Sequence, residues 1–389
     1  MTWETVPLGA IAQVVGGATP KTSEPAYWDG DIPWVTPAEI SRLSGHYIES
    51  TERSISSDGL SRSGVQILPT GSVLLSSRAP IGLVAINRIP VGTNQGFKSL
   101  IPSDRIESNF LFWWLKSHTK LLQSKGRGAT FLELSKAEVE RIEIPLPPLP
   151  EQRRIAAILD EADSLVQLRN RVVDAMRELR DGLYVATFGS PRVNPHDHAL
   201  RQVDAIASTR LGKMLDAKQQ TGQHPTLYLR NANIRWFEID LNNLARMDIT
   251  PTERLEYSLV SGDVLVCEGG EPGRAAIWSG ELKDIAFQKA LHRVRVDTGQ
   301  ITPEVFVHTL RALQASGQLS DSITSATISH LTGEKLRRLR IPVPPLEAQH
   351  DFGNLLSVLA DSEARAASAW GEAQALAASL QHRAFRGEL

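Results

Sequence analysis

Sulfur is nearly absent: the 389 residues contain one cysteine, Cys267. A disulfide needs two thiols and a cysteine-built zinc site needs several, so this chain can make neither by itself. No run of about 18 uncharged apolar residues occurs, so no membrane-spanning helix is expected. The opening Met-Thr-Trp-Glu has neither a basic segment nor the apolar run of a secretory leader, and a soluble, cytoplasmic protein is expected. A charge excess is missing as well. Lys and Arg total 42 against 44 Asp and Glu, so any polyanion would have to be held by local patches rather than by net charge. Catalytic signatures are also lacking: there is no Asn-Pro-Pro-Tyr or Asp-Pro-Pro-Tyr, no Phe-x-Gly-x-Gly and no Walker loop. These absences speak against a methyl- or phosphoryl-transferring enzyme.

What is present is a repeat. Ile144-Pro145-Leu146-Pro147-Pro148-Leu149-Pro150-Glu151-Gln152 returns as Ile341-Pro342-Val343-Pro344-Pro345-Leu346-Glu347-Ala348-Gln349, with Ala348 where Glu151 stands. Upstream at the same offset, Ala129 to Leu134 falls on Ala326 to Leu331. Thr70-Gly71-Ser72-Val73-Leu74-Leu75 matches Ser261-Gly262-Asp263-Val264-Leu265-Val266, and Leu8 to Ala12 resembles Val203 to Ala207. Three blocks in one order make a tandem duplication. Between Gly and Pro punctuation lie short β-rich runs, Ser72 to Ser76, Gly82 to Asn87 and Asp263 to Cys267, with helix-forming stretches at Asn109 to Ser117 and Pro303 to Ala315. Each half therefore reads as a mixed α/β (α+β) domain.

After each proline clamp the pattern turns helical. Ile158, Ala162, Leu165, Arg169, Val172, Met176, Leu179 and Leu183 recur in steps of four and three, and so do Phe352, Leu355, Leu359, Ser362, Ala366, Ala369, Ala373, Leu376 and Leu380. A mean spacing of 3.5 predicts a coiled-coil seam. The first seam supplies large knobs and the second mostly alanine, so each helix is the natural partner of the other, paired antiparallel. At 1.5 Å per residue, Glu151 to Thr187 would span roughly 55 Å.

The run Pro145 to Leu159, Pro-Leu-Pro-Pro-Leu-Pro-Glu-Gln-Arg-Arg-Ile-Ala-Ala-Ile-Leu, resembles the conserved region of type I restriction-modification specificity subunits. The Leu-Gly-x-Ile-Ala start, the Gly-x-Val-Leu strand and Asn94-Gln95-Gly96-Phe97 extend the likeness over the chain, with Phe287-Gln288-Lys289 set against Asn94-Gln95-Gly96. The resemblance implies two target-recognition domains, at 1–148 and 200–345, spacer helices at 149–188 and 346–389, and a linker at 189–199. Each recognition domain would read one half of a split, asymmetric target in double-stranded DNA. It also implies a chain without catalysis or cofactor of its own, with two modification subunits, which would bind S-adenosylmethionine, docked on the helices, and restriction subunits as further partners. The competing reading is a coiled-coil scaffold that assembles partners without reading DNA.

Base-reading groups belong on loops and carry Arg, Lys, Asn, Gln, Ser or Thr. In the first half the candidates are Thr19, Lys21, Arg78, Lys98, Lys125, Arg127 and Thr130; in the second they are Arg210, Lys213, Arg230, Asn231, Arg274, Lys289 and Thr327. For Arg78, a salt bridge holding its own turn is the alternative. Trp34 and Trp236 could pack on a sugar or base, or could be core residues. Asp263 with Glu281 and Lys283 has a nuclease-like spacing, but Asp263 falls in a framework turn opposite Ser72. His196-Asp197-His198 could hold a metal, or be a solvated linker. No metal site is expected.

Overall fold

The computed structural model describes residues 3–78, 80–128, 132–216, 220–321 and 330–389. Thr130 and Thr327 lie outside the described residues. The chain forms two compact units, residues 1–170 with 368–389, and residues 171–367.

In the first unit a five-stranded sheet runs in the order Ala12–Gly16, Lys98–Pro102, Val73–Ser77, Ile81–Asn87, Tyr47–Ile48. A smaller sheet joins Arg53–Ile55, Trp28–Val35 and Gly92–Thr93. The central strand Val73–Ser77 is buried along its whole length. Alternate side chains point to opposite faces, so Val73 and Leu75 join the core under the helix Ser108–Ser117, while Leu74 joins a second core with Val15, Val35 and Phe97. Two covered faces explain the continuous Val73-Leu74-Leu75, and the equally buried Ser76 and Ser77 satisfy their hydroxyls on Pro80 O (2.7 Å) and Gly96 O (3.1 Å).

The second unit repeats the plan. Its four-stranded sheet runs Ala207–Leu211, Leu291–Val296, Val264–Cys267, Ala275–Ile277, and a three-stranded sheet joins Ala245–Asp248, Pro225–Leu229 and Ala286–Phe287. Val264 and Val266 face the core that holds Phe306 and Leu310 of the helix Pro303–Ala315, whereas Leu265 and Cys267 face the other way. Burial pushes the Cys267 thiol up to about 11, so it stays protonated and unreactive.

Each proline clamp is a strand paired with the start of its own half: Val6 opposite Ile144, and Arg201 opposite Ile341. These are two-stranded ribbons, where a proline without a donor is tolerated. Behind each clamp one buried glutamine closes the frame. Gln152 Oε1 accepts from Glu107 N (2.8 Å), and its Nε2 donates to Arg105 O (3.0 Å) and Pro147 O (2.8 Å). Gln349 Oε1 accepts from Thr302 N (2.8 Å), and its Nε2 donates to Gln300 O (2.9 Å) and Pro344 O (2.7 Å). The amide's shape, one acceptor and two donors, matches three backbone groups, buried or half-buried, at each clamp.

The long helices run Leu149–Phe188 and Leu346–Ala384. Their buried faces differ from the 3.5-residue stripe. In the first unit Ile155, Ala156, Leu159 and Ala162 enter the core, and Ala373 is buried; Ile158 and Leu165 are half-buried and line an apolar groove with Leu380 and the half-exposed Leu376. In the second unit Tyr184, Phe188, Phe352 and Leu359 are buried, Val172, Met176 and Ala366 are half-buried, and Leu179 (55 %) and Leu355 (51 %) are exposed. The physical reason is competition for each helix. The globular cores take the face one position away through Leu159 in one unit and Tyr184 in the other, while Phe352, on the stripe itself, is drawn into the second unit's core. Leu179, Leu355 and Leu376 are therefore not seam residues in the buried sense expected from their spacing.

Candidate nucleic-acid interface

In the first unit four chain segments converge beside the end of the five-stranded sheet. Gly17 crosses the Asn94 backbone so closely that a Cβ would lie 1.8 Å from its carbonyl oxygen, which explains the glycine. Gly17 N then donates to Phe97 O (3.2 Å) and Ala18 N to Thr93 O (2.9 Å). This crossing sets Thr19 against Gln95, its hydroxyl donating to the Gln95 side-chain oxygen. Ser77 N donates to Gly96 O (2.7 Å) and Leu134 N to Ser77 O (2.8 Å), which brings Arg78 and Glu133 together. Glu133 accepts from Lys98 Nζ at 3.1 Å and pairs with Arg78 at 3.9 Å, and its backbone pairs with Arg127. Arg78 thus spends part of its charge holding its own turn. Lys21, Lys125 and Arg127 are exposed, the last pairing with Glu138 at 3.3 Å. Solvent screens such a pair and makes it weak, leaving the cation free to exchange it for a phosphate.

The second unit builds the same crossing from other side chains. A Cβ on Gly212 would lie 2.3 Å from Gln288 O. Gly212 N donates to Leu291 O (3.0 Å), Lys213 N to Phe287 O (3.0 Å), Glu268 N to Ala290 O (2.9 Å) and Leu331 N to Glu268 O (2.7 Å). These bonds pair Ala18 with Lys213, Thr19 with Met214, Asn94 with Gln288, Gln95 with Lys289, Arg78 with Gly269, and Glu133 with His330. They correct the match proposed from sequence by one residue: Gln288-Lys289-Ala290 occupies the place of Asn94-Gln95-Gly96. One exchange is coupled. A side chain on Gly269 would meet the His330 ring at 2.9 Å, so replacing glutamate by histidine at one position goes with losing the arginine at the other.

The remaining candidates separate by where they point. Lys289 is exposed, and Arg210 pairs with Glu256 near Tyr257; with Gly212, Met214 and Arg337 they line one groove. Lys213 is a correction. It is 7 % exposed, and its Nζ donates to Asp248 O (2.8 Å) and to both carboxylate oxygens of Glu253 (2.7 and 2.6 Å). Its hydrogen bond holds the Glu253 carboxyl below the usual range. Backbone pairing at Lys213 turns the side chain inward, so it cannot reach a base. Arg230 (to Asn243 O, 2.7 Å), Asn231 (to Gly269 O, 3.0 Å) and Arg274 (to Asn231 O, 3.1 Å, and Glu271, 3.2 Å) bind backbone and one another's loops.

Trp34 is a buried core residue, its indole N–H on Ala18 O at 3.2 Å, and the Trp236 indole donates to Glu271 at 2.7 Å. Asp263 is wholly buried, and its carboxylate is engaged by Arg295 through two nitrogens at 2.7 and 2.8 Å and by Val260 N at 2.8 Å, so it serves as a structural ion pair and turn acceptor rather than facing a metal. In the linker, Asn194 closes a turn on His198 through two hydrogen bonds. Among the described residues no group of three or more His, Cys, Asp or Glu side chains could hold a metal ion, and no helix is long and apolar enough to cross a membrane.

Sequence reasoning left out Arg53, whose exposed guanidinium lies 4.0 Å from the Trp28 ring centroid, and Glu133. A Trp-x5-Trp pair followed by a lone Arg was the available signal for the first. Nothing local marks Glu133, because its role depends on segments 35 and 55 residues away. The whole set can bind anionic backbone through exposed cations, and can address base edges through Gln95, Thr19 and Glu133 in one unit and Lys289 and Arg210 in the other.

Known proteins share this plan. The chain is 37% identical over 188 residues to the type I restriction enzyme MjaIX specificity subunit of Methanocaldococcus jannaschii, covering 48% of this chain and 44% of that one. It is 28% identical over 189 residues to the EcoR124I/EcoR124II specificity subunit of Escherichia coli, 47% and 46%. In both cases the chain spans less than half of the relative's length. The StySPI specificity subunit of Salmonella potsdam aligns over 100% of this chain and 89% of its own at 23% identity. Among solved structures, a chain described under complex assembly and conformational transition of the type I R-M system superposes with a TM-score of 0.67 at 18% identity, covering 100% and 98%. The type I restriction-modification S subunit from M. genitalium gives 0.55 at 13%, covering 99% and 96%. The family model for the type I restriction modification DNA specificity domain matches residues 1–174 and again 210–365. With the duplicated frame of two mixed α/β units, this places the chain in the family of type I restriction-modification DNA specificity subunits.

Proposed function

We propose that this chain is the non-catalytic subunit that gives a type I restriction-modification complex its DNA specificity. Residues 1–148 and 200–345 each read one half of an asymmetric, split duplex target, and the helices at 149–188 and 346–389, joined through 189–199, set the gap. The observation that carries this reading is the pair of crossings at Gly17 and Gly212. One backbone frame is built twice, and different side chains stand at the same places. A frame that repeats while its exposed groups change suits two half-sites of different sequence better than one palindrome. Two modification subunits, binding S-adenosylmethionine themselves, dock on the long helices, with restriction subunits as further partners, in the cytoplasm. The apolar groove of Ile158, Leu165, Leu376 and Leu380, and the exposed Leu179, Leu355 and Val358, support docking, because helix faces of this kind are usually covered.

Genome-wide methylation mapping tests the reading. Expression together with a modification subunit is expected to place methyl groups on adenine in one split motif, and this chain alone is expected to place none. Exchanging residues 1–148 for another such domain changes one half of the motif and leaves the other. The absence of any split motif that depends on this gene would sink the proposal and favour a scaffold.

A further inference from the structure

At the second crossing the two residues after Lys213 are apolar and open to solvent. Met214 is 61% and Leu215 43% exposed. A single exposed apolar side chain is ordinary on a protein surface, but here the backbone holds Met214 outward with Leu215 open beside it. Lys213 N is bonded to Phe287 O, Lys289 N to Lys213 O (2.8 Å), and the Lys213 ammonium is drawn inward to Asp248 and Glu253, so the next residue is turned outward. The chain is pinned again a few residues on, where the Asp248 carboxylate accepts from Thr221 Oγ1 (2.9 Å), Gly222 N (2.6 Å) and His224 N (3.1 Å). Around Met214 stand three cationic residues, Arg210, Lys289 and Arg337, lining the same groove. The first unit has the reverse at the matching positions: Thr19 is tied to Gln95, and Pro20 is buried.

We infer that Met214 and Leu215 form an apolar wedge that enters between two stacked base pairs of the half-site read by the second unit, and that the first unit has no wedge. The inference rests on the DNA-reading function proposed above. Charge complementarity selects the occupant. Met214, sharing its groove with Lys289, Arg337 and the Glu256-paired Arg210, and Leu215, open beside it, match a base step flanked by phosphates, where inserted Met or Leu unstacks the step and kinks the duplex. Cations lining the groove beside Met214 suit a phosphate backbone better than an apolar protein surface.

The test uses the full chain with its modification subunits, on duplexes carrying 2-aminopurine at successive positions of both half-sites. The modification subunits turn the adenines they methylate out of the stack, so those positions brighten whatever the second unit does; away from them, wild type is expected to give a several-fold fluorescence rise at one step of the second half-site and none in the first. The double variant Met214→Ala with Leu215→Ala loses that rise and binds several-fold more weakly, and a mismatch placed at the same step, which removes the cost of unstacking, restores binding. Both positions are exposed, so folding is expected to survive, and circular dichroism checks it. Sequence-specific binding by wild type without brightening at any step other than the methylated adenines overturns the wedge while leaving the reading function intact. Release of a modification subunit by the double variant, with brightening unchanged, overturns it in favour of a protein-docking role. Failure of wild type to bind any duplex specifically removes both.

Discussion

The two units keep the same hydrogen bonds and discard each other's side chains, and the boundary between what is kept and what is changed is sharp. Gln152 and Gln349 bind three corresponding backbone groups at distances matching within 0.1 Å. At the crossings, where the backbone bonds also recur, Thr19 becomes Met214, Gln95 becomes Lys289, and the Arg78–Glu133 pair becomes Gly269 and His330. The difference teaches where freedom lies. A buried amide serving three backbone groups has no substitute among the natural side chains, whereas a group at the rim of a loop is constrained only by its immediate neighbour, as His330 constrains Gly269.

The strongest way to break the comparison is at the glutamines. Gln152→Leu or Gln349→Leu strands one N–H and two carbonyls in the interior, and each is expected to cost about 3 to 5 kcal/mol. Urea denaturation of the two variants should give equal losses. Unequal losses would show that the clamps, alike in geometry, are not alike in energy. A smaller effect separates the units. Asp263→Ala removes a bidentate arginine and the acceptor for Val260 N (2.8 Å), at about 2 to 3 kcal/mol, because the half-exposed Arg295 can rehydrate. The hydroxyl of its counterpart Ser72 donates to Pro69 O (2.7 Å), a single neutral turn hydrogen bond among the described residues, so Ser72→Ala is expected to cost about 1 kcal/mol. Equal costs would mean that the ion pair contributes nothing beyond a turn hydrogen bond.

What was legible in the sequence follows the same boundary. The clamps, the Val73 and Val264 strands and the helices after Leu149 and Leu346 show directly, because proline, glycine and apolar runs act locally. The direction of a polar side chain does not show. Lys213 and Lys289 are both lysines in loops, and only the pairing of Lys213 with Phe287 and Lys289 sends one inward and leaves the other outside. The helix stripe was misleading for a related reason: a 3.5-residue period identifies an apolar face but not which neighbour claims it, and here the globular cores bury Ile155, Leu159, Tyr184 and Phe352 while Leu179, Leu355 and Leu376 stay open. The one-residue slip at Gln288 arose because Asn-Gln-Gly and Phe-Gln-Lys share a glutamine, and identity of type outweighed a register that only hydrogen bonds define.

An effect of similar size best isolates the inward lysine. Lys213 has Ala18 as its counterpart, so the first unit has nothing like the Lys213–Glu253 pair at this place. Lys213→Met leaves Asp248 O without its ammonium donor, while Glu253, about a third exposed, can turn to water; a loss of about 1 to 2 kcal/mol is expected. Its pH signature is specific. Because Lys213 depresses the Glu253 carboxyl, the folded state binds its proton less readily than the unfolded chain. The stabilisation is therefore complete above the 4.5 of an ordinary glutamate and is lost as the pH falls from there through the folded value. Hydrogen exchange followed peptide by peptide from pH 7 down to about pH 3 should show residues 245–257 losing protection below the 4.5 of an ordinary glutamate in wild type, and a flatter profile in Lys213→Met. Residues 28–55 of the first unit report on acid sensitivity from other causes. If the variant kept the wild-type slope, the pair would be neutral in energy, and the outward turn of Met214 would rest on the backbone bonds at Phe287 and Lys289 alone.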